Sequence, residues 1–464
     1  MAHENNMKYL FAETALLPDG WATNVRVKID DAGRVGAVEP ESQPQAGDTV
    51  LTGRVLLPAP SNLHSHAFQR ALAGLTEARG ATGQDSFWTW RQLMYKFVDA
   101  LTPEQVEAIA ALSQIEMMES GYACVGEFHY LHHQNGGRPY DDPAELSRRI
   151  IAAAGETGIG LTLLPVFYSQ GGVDGRSLEN EQLRFRNDLD GFAGIWSGAR
   201  REIANLGEDH VLGIAPHSIR AVSKFDLNQL AEAYPQGPIH IHIAEQAAEI
   251  EEVTTAYGLP PIAWLFANAA VDNNWCLVHA THMNDDEITL LASSGAVVGL
   301  CPVTEANLGD GIFPANEFLN RGGSIGLGTD SNIAIDLVQE MRTLEYSQRL
   351  RDQARSVLCE KEKSTGRYLF DEICRGGAQA TGRHNGKIAP GAWADFMALD
   401  GNALSIAGLK EDRLLDAWVF ASKGQMVSDV WSAGRHMVKE GRHINRHGIE
   451  KRFRKTMREL RNLL

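Results

Sequence analysis

Two H-x-H pairs lie in a chain that holds 16 histidines. His64 and His66 form the first pair. In an extended chain, residues i and i+2 project to one face, so both imidazoles can reach a single metal ion. His240 and His242 repeat the spacing inside an apolar run, and Glu245 follows three residues beyond His242. His279 closes Leu277-Val278-His279, and Asp330 closes Gly326-Leu327-Gly328-Thr329-Asp330. Each of these alone has a plainer reading. A single strand-end histidine is commonly a hydrogen-bonded structural residue, and an Asp before a Ser commonly caps a helix or turns the chain. Together, four strand ends in order offer groups that a divalent cation accepts, which predicts a metal-dependent site.

Groups so far apart in sequence meet only if parallel strands carry them side by side. Residues 58–385 alternate apolar runs with helical stretches. The runs fall at residues 55–58, 122–128, 160–167, 211–215, 239–243, 275–278, 296–300 and 324–327, with helical stretches such as 102–120 and 144–157 between them. That alternation predicts an α/β fold, a (β/α)8 barrel whose chemistry sits at strand C-termini. The ends differ in texture. Residues 25–29 alternate with period two before the turn Asp30-Asp31-Ala32-Gly33, and residues 394–400, 427–430 and 434–438 resume that pattern. Residues 1–57 and 386–448 are therefore expected to build one small β-sandwich domain from both termini. In residues 449–464, six basic residues accompany a stripe of Phe453, Met457, Leu460 and Leu464. This reads as a terminal helix docked on its own chain rather than one lying on a membrane surface.

Composition narrows the function classes. With 464 residues, 22% charged and 44% hydrophobic, the chain has the make-up of a globular enzyme with a sizeable core. Its 59 acidic against 43 basic residues give a formal charge of −16, which repels phosphate backbones and disfavours nucleic acid as a partner. Five cysteines lie far apart with no C-x-x-C, so a disulfide framework is not expected. The first residues lack the apolar stretch of a secretory signal, and no uncharged run of about 18 residues could span a bilayer. The cytoplasm is the expected compartment. His132, His133, His436, His443 and His447 read as structural or loop residues, the first two on an exposed loop, while His240 and His282 could support ligands from behind.

The segment Pro58-Ala59-Pro60-Ser61-Asn62-Leu63-His64-Ser65-His66 resembles the opening signature of the amidohydrolase superfamily, with Ala59 where that family usually carries Gly. His242, His279 and Asp330 fall where the family has its remaining site residues, and residues 386–396 resemble its return to the β-sandwich. The binuclear branch bridges its metals with a carboxylated lysine on the fourth strand, but no lysine lies between Lys96 and Lys224. The H-x-x-E of His242 and Glu245 is similar to the mononuclear, deaminase-like branch. A cytidine-deaminase type of zinc site is disfavoured, since P-C-x-x-C is absent. Residues 62–71, 85–91, 127–130, 217–222 and 304–314 resemble the deiminases of histidine breakdown. Asn332 stands where many relatives place His.

The resemblance implies hydrolysis of N-formimidoyl-L-glutamate to N-formyl-L-glutamate and ammonia. His64, His66, His242 and Asp330 would hold one divalent ion, Zn2+ by expectation, and leave a position for water. Asp330 would take the proton of that water, His279 would orient it, and Glu245 would shuttle a proton to the leaving amine. Gln69, Arg91, Tyr130 and His217 match substrate-contacting positions. Arg91, beside Trp88 and Trp90, reads equally well as a helix-face arginine. Arg220 is the local counterion expected for a dicarboxylate. Relatives imply a homodimer with no nucleic-acid or membrane partner. Two other readings stay open: a deaminase of a cyclic amidine such as an aminopurine or triazine, and a non-catalytic barrel used for assembly.

Overall fold

The structure is a computed structural model that describes residues 8–77, 87–423 and 426–461, leaving aside the side chains of 87–89 and 91–93. Four strands open the chain: β1 (Lys8–Leu17), β2 (Gly20–Ile29), β3 (Val35–Glu39) and β4 (Thr49–Pro58). Nine short strands follow, separated mostly by helices. They are β5 (Ser61–Ser65), β6 (Cys124–His129), β7 (Gly160–Phe167), β8 (Val211–Leu212), β9 (Ala215–Pro216), β10 (Ile239–Ile243), β11 (Trp275–His279), β12 (Val297–Leu300) and β13 (Ser324–Leu327). The last four are β14 (Phe396–Asp400), β15 (Val427–Ser432), β16 (Arg435–Lys439) and β17 (Arg442–His443).

The first and last groups form one sheet in the order β17-β16-β15-β14-β4-β1-β2-β3. Its seam pairs β4 with β14, Leu57 opposite Met397 and Val55 opposite Leu399. Side chains from both halves, among them Leu10, Val27, Leu51, Phe396 and Trp431, share an apolar core of their own. Residues 55–58 thus end β4 of this terminal sheet and do not begin the barrel, as their apolar run suggested. The barrel starts at β5, whose Ser-Asn-Leu-His-Ser is mostly polar. It is buried nonetheless, because its polar atoms find partners inside the protein rather than in water.

The middle strands are all parallel, in two arcs. β5-β6-β7 continue to β8 and β9, both of which pair with β7, and β10-β11-β12-β13 form the second arc. Isolated parallel bridges join the arcs at both ends, Ile214 to Ile239 and Ser65 to Asp330. With β8 and β9 counted as one interrupted strand, the order closes on itself as an eight-stranded (β/α)8 barrel. Leu63, Cys276, Val278 and Val297 fill its interior. The helix Pro103–Ser120 begins at Thr102, whose hydroxyl accepts from Gln105 N–H in a reciprocal capping box. The terminal helix Arg446–Arg461 buries Ile449, Met457 and Leu460 and ion-pairs Arg446 with Glu119 of that helix. Leu464 of the predicted stripe lies outside the described residues.

Candidate metal centre and active site

The strand ends carry the candidate site residues. His64 sits within β5 and His66 just beyond it, His242 lies in β10, and His279 is the last residue of β11. At these ends the backbone turns left-handed at non-glycine residues: Ala244 (φ 53°), His279 (φ 70°), Asp330 (φ 44°) and Asn332 (φ 54°). Conformations of that kind persist where surrounding contacts over-determine them, and they cluster at functional sites. Gly328 allows the closest approach. A Cβ there would stand 2.7 Å from both the carbonyl oxygen and the Cβ of His64, so only glycine lets the segment reach Asp330 this close to β5.

Three imidazole nitrogens and a carboxylate converge. His64 Nε2 lies 3.2 Å from His66 Nε2 and 3.0 Å from His242 Nε2. Asp330 Oδ1 stands 3.2 Å from His66 Nε2 and 3.5 Å from His64 Nε2. The four ligand atoms fall within 4.8 Å of one another, and all four residues are buried. Second contacts fix two tautomers: His66 Nδ1 donates to the Phe128 carbonyl at 3.0 Å, and His242 Nδ1 to that of His217 at 3.2 Å. Their Nε2 lone pairs are thereby aimed at the shared point. Burial lowers the basicity of all three rings, taking His64 to about 3. For Asp330, burial opposes ionisation, but the neighbouring imidazoles outweigh it and hold the carboxyl below its usual range. Neutral nitrogens with converging lone pairs repel unless a cation lies between them. This donor set fits one divalent metal ion.

Around it stand the acid–base groups. His279 Nε2 is 3.8 Å from Asp330 Oδ2 and 3.9 Å from Glu245 Oε1, while its Nδ1 donates to Glu305 Oε1 at 3.2 Å. Burial works against charge on His279, but Glu245, Glu305 and Asp330 overcome it and push the ring up to about 10. Burial raises Glu245, only partly countered by His279 and Arg220, and so favours its proton-carrying form. Arg220 Nη2 lies 3.7 Å from Glu245 and 3.9 Å from Glu249. The cavity beside the cluster is lined by Gln69, Tyr130, His217 and Arg220, with Trp90 and Tyr168 among its aromatic walls. Gln69 Nε2 donates to the Tyr130 hydroxyl at 2.9 Å, and Gln69 Oε1 has no partner among the described residues.

The structure thus brings together His64, His66, Gln69, Tyr130, His217, Arg220, His242, Glu245, His279 and Asp330. Arg91 lies on the helix Phe87–Ala100, and its side chain is outside the described residues. Two expectations need correction. His132 is buried rather than exposed on a loop, because its Nε2 donates to the Val166 carbonyl at 2.8 Å. His240 backs no ligand, since its Nε2 donates to the Ala380 carbonyl at 2.7 Å and its Nδ1 has no partner among the described residues. His282 instead holds the Asp310 carbonyl at 2.7 Å.

Two carboxylates carry work that the sequence reading missed. Glu305 orients His279 and also accepts Cys301 N–H at 2.8 Å, so hydrogen bonds already satisfy the His279, Cys301 and Glu305 group. Glu249 accepts the N–H groups of Ala244 (3.3 Å) and Glu245 (3.2 Å), fixing the turn that presents Glu245. The H-x-x-E-x-x-x-E spacing was the available signal for Glu249.

The chain is similar to known proteins over nearly its whole length. The model of the amidohydrolase family matches residues 55–437, and that of the formimidoylglutamate deiminase HutF N-terminal domain matches residues 7–50. A formimidoylglutamate deiminase from Pseudomonas aeruginosa is 47% identical over 98% of this chain and 100% of its own length. The crystal structure of an amidohydrolase from Brucella melitensis superposes with a TM-score of 0.93 at 46% identity, covering 98% of this chain and 99% of that one. An adenosine deaminase from Xanthomonas campestris with bound zinc shares the fold, with a TM-score of 0.82 at 20% identity and 98% coverage of both chains.

Proposed function

The chain belongs to the amidohydrolase family, and we infer that it hydrolyses the formimidoyl group of N-formimidoyl-L-glutamate, giving N-formyl-L-glutamate and ammonia. The observation that carries this reading is the 47% identity, over 98% of the chain, to a formimidoylglutamate deiminase. The site described above supplies matching chemistry.

A divalent ion held by His64, His66, His242 and Asp330, Zn2+ in our reading, would supply the Lewis acidity that makes water nucleophilic near neutral pH. The chain's own residues do the rest. Asp330, ionised and 3.8 Å from His279, accepts the proton that water gives up as it attacks the formimidoyl carbon. His279, oriented by Glu305, stabilises negative charge building on the attacking oxygen. Glu245, buried and biased toward its protonated form, donates to the amidine nitrogen as water adds. When the tetrahedral carbon collapses to the formyl group, its hydroxyl proton returns to Glu245, Asp330 passes the proton it took to the nitrogen, and the C–N bond breaks to release ammonia. Arg220 takes a substrate carboxylate, with Gln69, Tyr130, His217 and Arg91 completing the recognition of the amino acid. The aromatic walls keep water from the reacting centre.

The same reading places the enzyme in histidine breakdown in the cytoplasm, as a homodimer acting on a small dicarboxylate, with no nucleic-acid or membrane partner. No described helix is long and apolar enough to cross a membrane.

The deciding experiment is ammonia release from N-formimidoyl-L-glutamate, before and after chelation and Zn2+ return, with the product identified. Metal-dependent formation of N-formyl-L-glutamate is expected. Folded, metal-loaded protein that leaves this substrate untouched but deaminates an aminopurine or triazine would move the substrate assignment to cyclic amidines. A protein that binds no metal and turns over neither would be a non-catalytic barrel.

A further inference from the structure

The first and eighth barrel strands meet through a single isolated bridge, Ser65 to Asp330, rather than a continuous ladder. Yet this is the junction across which Asp330 must face His64 and His66. Backbone contacts supply part of the constraint. The N–H groups of Thr329 and Asp330 both donate to the His64 carbonyl at 3.0 Å, and His66 N–H donates to the Asp330 carbonyl at 2.9 Å.

Side chains supply the remainder, and they form one connected network. Asn332, fully buried, donates from Nδ2 to Ser65 Oγ at 3.1 Å and accepts from Thr329 Oγ1 at 2.6 Å. Thr329 is held in turn by Asn62, whose Nδ2 donates to Thr329 Oγ1 at 2.7 Å and whose Oδ1 accepts Thr329 N–H at 3.1 Å. On the other side, Glu127, which pairs with Ser65 across the strands, accepts Ala67 N–H at 2.7 Å. Ser65 lies between the two ligands of the H-x-H motif, and Thr329 directly precedes Asp330. Asn332 is the member that touches both.

We propose that Asn332 is a positioning residue for the metal centre, setting the separation of Asp330 from His64 and His66 by bridging Thr329 to Ser65. The side chain suits that role. A carboxamide donates on one side and accepts on the other, and asparagine tolerates the left-handed φ of 54° that turns the amide back toward β5. Metal ligands work within a few tenths of an ångström, and residues that hold them from behind typically affect affinity about 10- to 100-fold. The proposal rests on the metal reading of the four-residue cluster and not on the identity of the substrate.

The test is Zn2+ affinity, read by competition with a chromogenic chelator, in wild type, Asn332→Gly, Ser65→Ala and the double variant. Glycine accepts the left-handed backbone, so the first substitution removes the amide without adding strain. Asn332→Gly should weaken Zn2+ binding about 10- to 100-fold. Ser65→Ala should weaken it less, and the double variant should be no weaker than Asn332→Gly alone, because both cut one bridge. The melting temperature of the metal-free protein should change little. An Asn332→Gly affinity within twofold of wild type, or penalties that multiply in the double variant, would overturn the proposal. Should Asn332→Gly fail to fold, Ser65→Ala decides alone, since it deletes one hydroxyl from the same bridge, and unchanged affinity there would overturn the proposal too. Wild type that binds no Zn2+ takes down the metal reading together with this inference, whereas loss of turnover alone touches only the substrate assignment.

Discussion

Arg220 Nη2 faces Glu245 Oε2 across 3.7 Å, too far for a hydrogen bond, and Arg220 Nε is buried with no partner among the described residues. The guanidinium is held by charge while a donor stays unspent. A carboxylate entering the cavity can take that donor, and its own charge would compete with Glu245 for the arginine. Replacing Arg220 with Met should raise KM for N-formimidoyl-L-glutamate by about 10- to 100-fold, the weight of a charge-assisted contact. Steady-state kinetics on an uncharged formamidine should show a much smaller change. An equal loss on both substrates would mean that Arg220 serves the fold of the site rather than the substrate's charge.

Glu245 calls for a different experiment, because it touches the reacting nitrogen in our reading but none of the four ligand atoms. Glu245→Gln preserves shape and hydrogen bonding while removing the transferable proton. Turnover should fall by about 10²- to 10⁴-fold, with metal content per subunit unchanged. Undiminished turnover in a metal-replete variant would remove Glu245 from proton transfer.

Much of this site was legible in the chain because its residues follow two simple rules. Period-two spacing puts His64 and His66 on one face, and barrel geometry puts His242, His279 and Asp330 at strand ends. What escaped depends on contacts that leave no periodic trace. β5 was misplaced to residues 55–58 because a strand satisfied by Asn62, Thr329 and Asn332 does not look apolar. Glu305 and His132 look like solvent-facing residues until the fold delivers His279 Nδ1 to one and the Val166 carbonyl to the other. The terminal sheet was readable from both ends, but its seam of β4 against β14 joins residues more than 300 positions apart, beyond any local pattern.

Metal removal should affect stability as well as rate. His64 Nε2, packed 3.2 Å from His66 Nε2 and 3.0 Å from His242 Nε2 beside an ionised carboxylate, forms with them a poor arrangement without a cation. Binding to the folded state alone would add about 4 kcal/mol when free ion exceeds Kd by 1,000-fold. Chelation should therefore abolish ammonia release and lower the calorimetric melting temperature by several degrees, both reversed by Zn2+. A melting temperature indifferent to chelation, with metal loss verified, would show that the cluster is not strained without its ion.

Acid sensitivity should arise not only at the buried Asp330 and histidines of the site but also away from it, where the barrel meets the terminal sheet. Arg383 is fully buried, with Nε 2.7 Å from Asp395 Oδ2 and Nη2 3.2 Å from Asp209 Oδ2, and Arg435 reaches the same Asp209 oxygen. Burial resists ionisation of Asp209, but Arg435 and Arg383 outweigh it and hold its carboxyl well below the usual range. A depressed folded-state value means that this stabilisation is present above the unfolded carboxylate pKa of about 3.9 and is lost as pH falls from there toward the folded value. Wild type should accordingly lose stability steeply below about pH 4. Arg383→Met leaves Asp395 buried without its counterion and should cost about 3–5 kcal/mol at pH 7. Part of the acid-limb slope should vanish with it, since Asp209 would then titrate closer to its unfolded value. Urea denaturation of both proteins across pH 3–7 measures these effects together, and parallel pH profiles would show that Arg383 contributes packing but no charge coupling to Asp209.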